Sequence, residues 1–254
     1  MAFLRSVVYI FLAITAVNGN PLSRRGTRPT STIVGLPETV PDNITGQLYQ
    51  AYQPYLEVLN GCVPYPAVDV DGNTKYNLLS SLLMLLTDKS SEGLPLTGSQ
   101  NSGCKNNLGQ IYARGFDGAN GRYAIMYSWY MPKDSPSKGL GHRHEWEGVI
   151  VWLASNTSTS ASNILAVCPS AHGDWNCSKL FLLSGTGPLV SYFSIWPVNH
   201  QMWLGAEKGG QQPLMAWESL PDAAKNALQT TDFKSATVPF KDSTFAGNIA
   251  KATF

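Results

Sequence analysis

Charge is scarce in this sequence, and neither sign prevails. Acidic and basic residues make up 14% of the 254 positions and leave a formal net charge of +1, which falls to zero without Arg5, the only charged side chain of the first nineteen residues. Nucleic acids and anionic lipid surfaces are gripped by clustered Lys and Arg, so no nucleic-acid partner is expected. Long apolar runs are also missing. Beyond the N-terminus nothing approaches the roughly 20 apolar residues that cross a bilayer; the run Leu78–Leu86 is short and holds two serines. There is no CxxC pair, which discounts the common structural zinc sites, and no internal repeat. A hydrophobic fraction of 43% excludes wholesale disorder, and the chain is long enough to bury a full core.

The N-terminus holds Arg5, an apolar stretch Val7–Val17 and the small Gly19, the order of a secretory signal peptide and too short a run to anchor the chain in a membrane. A signal peptide over 1–19 and an extracellular destination are expected. Residues 20–41 are rich in Pro, Thr, Ser and Arg and read as a flexible lead-in; Arg24-Arg25 suits either dibasic processing of a pro-segment or a plain basic tail. Four cysteines, Cys62, Cys104, Cys168 and Cys177, agree with export. Three pairings are open. The simplest, without interleaving, joins Cys62 to Cys104 and Cys168 to Cys177, contributing roughly 4 and 2.7 kcal/mol in the loop-entropy model. Sequons at Asn43, Asn156 and Asn176 permit N-glycosylation, the third beside a cysteine.

Along the chain, Leu48, Tyr52, Tyr55 and Leu59 recur at helical spacing from Asn43 to Leu59, with Pro54 as a kink. Arg122–Met131 alternates Tyr123, Ile125, Tyr127 and Trp129 with smaller residues and predicts a strand. Gly148–Ala154 predicts a second, buried on both faces. Ile164–Val167 and Lys179–Leu183 bracket the Cys168–Cys177 loop as a hairpin would. Ser219 with Asp222 resembles a capping box ahead of Leu220, Ala224 and Leu228, a helix. Many short strands, polar loops and two or three helices predict one mainly β domain over 42–254, built on a β-sandwich.

The chemistry concentrates in Gly141-His142-Arg143-His144-Glu145-Trp146-Glu147, with Asp134 on a turn upstream. A zinc protease is excluded by spacing: HExxH needs His at Gly148 and HxxEH needs it at Trp146. Two readings stay open, a surface network of ion pairs and a divalent-cation site of Asp134, Glu145 and Glu147 with one imidazole. Three carboxylates suit the hard ions Mg²⁺ or Ca²⁺ better than zinc. Strict alternation places His142 and His144 on one face and the two glutamates on the other. A site joining His142 to both glutamates therefore requires an irregular loop until about Trp146.

The stretch Ala124–Glu147 resembles the signature of the necrosis- and ethylene-inducing-peptide-like (Nep1-like) family, whose heptapeptide reads GHRHDWE. The resemblance extends to Gly61–Asp69, Ser170–Gly173, Trp196–His200 and Leu220–Ala224, covering roughly residues 45–245. It implies a β-sandwich flanked by helices, similar to actinoporins and fungal lectins. It also implies a non-enzymatic cytolysin that binds sugar headgroups of plant glycosylinositol phosphoceramide sphingolipids beside a divalent cation, then damages the membrane of the host from the apoplast. By position, the cation ligands are Asp134, His142, Glu145 and Glu147. The sugar-facing residues are Asp69, Asn73, Asn199 and His200, and Trp196 approaches the bilayer. Cys168–Cys177 resembles the second disulfide of the family's second type. Glu145 departs from the family's Asp, and Asn199 stands where some members place Asp.

Two other functions are open: a non-toxic glycan-binding relative whose stretch 124–143 a plant pattern-recognition receptor detects, and a secreted hydrolase using Glu145 or Glu147 as general base. The hydrolase ranks last, since no nucleophile or zinc motif accompanies the carboxylates. Asp69-Val-Asp71-Gly-Asn73 hints at calcium but has Ser80 where an EF-hand loop needs Glu, and reads as a turn. His172 reads as a loop histidine. Trp129, Trp146 and Trp152 read as core, and Trp175 is undecided.

Overall fold

The computed structural model describes residues 33–74, 93–104 and 106–254. The signal-peptide segment, Arg24-Arg25 and the Leu78–Leu86 run lie outside the described residues. Residues 33–41, inside the expected flexible lead-in, are docked: Gln110 holds Leu36 through both its backbone groups, and Thr39 bridges Met215.

The chain forms a mainly β sandwich. Its strands are β1 (Tyr55–Val58), β2 (Ile111–Asp117), β3 (Tyr123–Asp134), β4 (His142–Leu153), β5 (Ile164–Ala171), β6 (Asp174–Trp175), β7 (Leu183–Ser184), β8 (Gly187–Phe193), β9 (Gln201–Leu204) and β10 (Leu214–Ala216). The helices are α1 (Ile44–Ala51), α2 (Asp222–Thr230) and α3 (Asp242–Lys251). The larger sheet runs β10-β2-β3-β4-β5-β6; in the smaller, β8 lies between parallel β1 and antiparallel β9, with β7 at its start.

The alternation over 122–131 becomes a central strand, longer than predicted and buried at every residue. A strand with neighbours on both edges and cover on both faces has no solvated side. One face carries Trp129 and Met131. On the other, Tyr112, Tyr130 and Trp146 pack with Phe233 and Phe240 from the segment between α2 and α3. Strand β9 packs on β4 and β5, closing one end of the sandwich.

Local physics accounts for the departures from prediction. The expected helix 43–59 stops at Ala51, because Pro54 cannot continue it; Tyr55–Val58 instead pairs with β8. Asn43 caps α1 through Oδ1 to the N–H groups of Thr45 and Gly46. The capping box at Ser219 does not form: α2 begins after Pro221 without a side-chain cap, leaving Leu220 outside it. Lys179–Leu182 is not a strand, and the hairpin closes tighter, with Ser170 opposite Trp175 and Val167 opposite Ser178. The two disulfides are Cys62–Cys104 and Cys168–Cys177.

The second bridge closes a short loop, so its effect is carried by the unfolded chain. Replacing Cys168 and Cys177 together by serine is expected to lower the unfolding free energy by about 2–3 kcal/mol, measured by denaturant titration; an unchanged midpoint would remove the bridge from the account of stability.

Candidate functional site

The end of the sandwich where β3 runs into β4 holds the site. Gly141 closes the turn between them at φ 91°, where a Cβ would stand 2.1 Å from the Asp134 carbonyl oxygen; only glycine fits. Strand β5 accompanies β4 from Val149 onward, so residues 142–148 keep one edge without a strand partner. A cleft of about 560 Å³ runs along that edge, lined by Asp134, His142, Glu145, Glu147, Asn199 and His200 among others.

Asp134 is fully buried and ties the two sheets together. Its Oδ1 accepts from the backbone N–H (3.1 Å) and Nδ1–H (2.5 Å) of His200, immediately before β9. The His200 ring stacks on Tyr192 of β8 at 4.9 Å. It lies so close to Gly61 that a Cβ there would be 2.3 Å from Nε2. Asp134 Oδ2 is buried with no hydrogen-bond partner, and it lies 3.7 Å from His142 Nε2, which is also 3.7 Å from Glu145 Oε2. The other His142 nitrogen, Nδ1, donates to the His144 carbonyl at 2.9 Å. That bond fixes the tautomer and presents the Nε2 lone pair to both carboxylates, the arrangement of a metal-ligating imidazole.

The ligand atoms of Asp134, His142 and Glu145 lie within 4.8 Å of one another. Two atoms each about 2.0–2.6 Å from a shared Mg²⁺ or Ca²⁺ stand roughly 3–5 Å apart, so these residues fit such an ion. Glu147 stands beside this trio, its Oε2 accepting a short hydrogen bond from Ser170, whose oxygen in turn accepts from Gly148 N–H at 2.7 Å. Burial raises both glutamates well above the ordinary carboxylate range. For Glu145 the charges of Glu147 and Asp134 add to this; for Glu147, Asp134 adds and the Ser170 hydroxyl opposes. The same three carboxylates, after burial, push Tyr192 upward.

The other predicted residues are distributed differently. His200, expected on a sugar-facing loop, is buried behind Asp134, while Asn199 beside it is half-buried at the cleft. Asp69 and Asn73 close a loop on themselves: Asp69 Oδ1 accepts from the N–H groups of Asp71 and Asn73, and the Asn73 amide donates to both Asp69 oxygens. They do not line the cleft. Trp196 is 68% exposed, at the tip of the β8–β9 turn with Ile195 and Val198, where Val198 N–H donates to the Ile195 carbonyl. His172 is exposed in the β5–β6 turn and lines the cleft, Trp175 is buried, and Trp129 and Trp146 are core. Asn43, Asn156 and Asn176 are exposed. Ser170 falls in a stretch that carries the family resemblance and Tyr192 does not, but nothing in their spacing pairs them with Glu147 and Glu145, 23 and 47 positions away.

Fold and site together define a β-sandwich whose open end carries an acidic, cation-type pocket beside an exposed aromatic tip. The family model of the necrosis inducing protein (NPP1) matches residues 46–252, and the chain belongs to that family. It is 41% identical over 227 residues to NLP effector protein 10 of Phytophthora capsici, covering 87% of this chain and 89% of that one. Over 209 residues it is 42% identical to the necrosis-inducing protein NPP1 of Phytophthora nicotianae, covering 80% and 81%. Among solved structures, one described as a toxin fold as basis for microbial attack and plant defense aligns with TM-score 0.78 at 40% identity, over 90% of this chain and all of that one. NLPPya in complex with mannosamine aligns with TM-score 0.76 at 40% identity over the same shares. The non-toxic HaNLP3 aligns with TM-score 0.76 at 31% identity, over 87% and 97%.

Because the folded-state values of Glu145 and Glu147 are raised, the folded protein without cation binds their protons more tightly than the unfolded chain does. Their cost is absent below the ordinary value of 4.5 and grows as pH rises from there toward the raised folded values. In chelator, Glu147→Gln is expected to melt at a higher temperature than wild type at pH 7 and at the same temperature near pH 4. Equal melting at both would mean that the carboxylates do not strain the fold.

Proposed function

We propose that this chain is a secreted cytolytic effector that binds the glycan headgroup of a plant sphingolipid beside a divalent cation, and permeabilises the plasma membrane without chemical turnover. The observation that carries the proposal is the convergence of Asp134, His142 and Glu145 on one point, with Asp134 Oδ2 buried and lacking a hydrogen-bond partner. Glu147 would complete the ligand set. The oxygen-rich donors favour Mg²⁺ or Ca²⁺, which would neutralise the crowded carboxylates and offer coordination positions to sugar hydroxyls.

Family membership supports the reading, as do relatives named effectors and a neighbour solved with an amino sugar. Asn199 stands at the cleft for hydrogen bonding to a sugar, with the Asp69–Asn73 loop as a second contact. Trp196 has the apolar face and polar N–H that suit a membrane interface. In this reading 1–19 is removed on export, 20–41 leads in, 42–254 acts in the host apoplast, and Asn43 and Asn156 carry glycans.

A second reading, a non-toxic glycan binder, is favoured by one specific observation: HaNLP3 shares the fold and is non-toxic. A plant receptor for the 124–143 peptide would then meet it only as a released fragment, since every residue of β3 is buried.

The test is dye leakage from vesicles containing plant glycosylinositol phosphoceramide, with Ca²⁺ or Mg²⁺ and then with chelator. Leakage is expected with cation and not with chelator. Asp134→Asn is expected to abolish both leakage and Ca²⁺ binding with the circular dichroism spectrum unchanged, and Trp196→Ser to reduce leakage while Ca²⁺ still binds. Headgroup binding without leakage selects the second reading; leakage indifferent to cation and to Asp134 overturns the first.

A further inference from the structure

Strict strand alternation separates His142 from Glu145 and Glu147, yet the structure brings them together. The break in alternation is localised. Pairing between β3 and β4 keeps one register from Tyr123–Leu153 to Asp134–His142, but skips the Pro132–His144 position. Pro132 has no N–H to donate, and its carbonyl accepts instead from Leu94 N–H at 2.8 Å. Opposite this gap His144 has φ 61°, and among the described residues it is the one strand residue, glycine or otherwise, in the left-handed region. On one side of it, Tyr130, His144 and Trp146 share the aromatic face, as alternation requires. On the other, His142 and its cross-strand partner Asp134 have turned onto the opposite face, toward Glu145 and the small sheet.

We infer that His144 is the positioning residue of the site: its left-handed backbone rotates His142 and Asp134 onto the face of Glu145 and Glu147, and its carbonyl holds the His142 ring by Nδ1. The inference rests on the cation-site reading given above. A left-handed conformation is unfavourable for a residue with a Cβ and persists only where surroundings enforce it. Here they do. The His144 side chain is fully buried, its Nδ1 is 2.6 Å from the Tyr130 hydroxyl, and its ring meets Phe233 edge-on at 5.4 Å. The imidazole thus serves as an anchor for a backbone twist and is not itself a ligand. By spacing alone it is indistinguishable from His142; only the family resemblance separates the two.

Glycine and alanine at 144 leave nearly the same cavity but differ in tolerance of positive φ, so the pair separates backbone hand from lost packing. Calorimetric titration with CaCl₂ is expected to give His144→Gly an affinity roughly tenfold tighter than His144→Ala, with His144→Asn on the side of glycine. Alanine equal to or tighter than glycine, in protein that is equally folded, overturns the inference. Crystal structures of the two variants provide a readout independent of cation: the 3.7 Å approach of His142 to Glu145 is retained in the glycine variant and lost in the alanine variant. If wild type binds no Ca²⁺ while the two crystal structures differ in this way, the cation reading fails and the positioning role stands. If the approach survives in both, the positioning role fails whatever the affinity.

Discussion

The organisation of this end of the molecule follows from putting three carboxylates into one buried corner between two sheets. Burying an ionised carboxylate is costly unless it is paired or given hydrogen-bond donors, and each of the three is only partly served. Asp134 receives two donors from His200 on one oxygen and none on the other. Glu145 receives the N–H of Trp146, and Glu147 the hydroxyl of Ser170. No Lys or Arg forms an ion pair with Asp134, Glu145 or Glu147 among the described residues; Lys251 lines the cleft but pairs with Asp174, and Lys133 next in sequence donates to the Ser99 carbonyl. Such a cluster destabilises the protein as long as its charges stay unpaired.

The fold contributes by making each of these positions hard to move. Asp134 and His142 end and begin the two longest strands of the larger sheet. His200 immediately precedes β9 of the other sheet and is wedged between Tyr192 and Gly61, and Gly61 adjoins the Cys62–Cys104 bridge. Ser170 sits where β5 parts from β4, in the hairpin that the Cys168–Cys177 bridge braces. The Cys168–Cys177 bridge therefore stands beside Ser170, which touches the acidic cluster, and the Cys62–Cys104 bridge reaches it one step further, through Gly61 and His200; the precision of the site rests on rigid strands and covalent staples.

Much of this was legible in the sequence, and the reasons differ by feature. The long alternating run at 122–131 could be read because a period of two, sustained over that length, fits a strand and little else. The acidic cluster could be read because two histidines and two carboxylates within six positions rarely crowd together for packing. The turn-type residues around it added Asp134 to the cluster from eight residues away. What sequence could not show was produced by tertiary context. Tyr55–Val58 has helical spacing but is claimed by β8. His200 and Asn199 are neighbours in sequence, yet one is sealed behind Asp134 and the other faces the cleft. Strict alternation required an irregular loop until about Trp146, whereas β4 is a continuous strand from His142 and the irregularity is confined to His144. It could not say that one backbone dihedral at His144, inside a continuous strand, would suffice.

The exposed turn and the buried cluster are linked by very little chain. Ile195, Trp196 and Val198 stand in solvent, and two residues after Val198 comes His200, clamped to Asp134 through both its backbone N–H and its ring. Asn199 lies between them at the mouth of the cleft. The clamp therefore fixes where the aromatic tip leaves the body of the protein, and the carboxylate that anchors the tip is the same one whose second oxygen faces His142. Replacing the Asp134 carboxylate by a neutral group would weaken its hold on His200, because the two N–H bonds would no longer be charge-assisted. The acidic cluster thus sets the stance of the most exposed aromatic surface at this end of the sandwich.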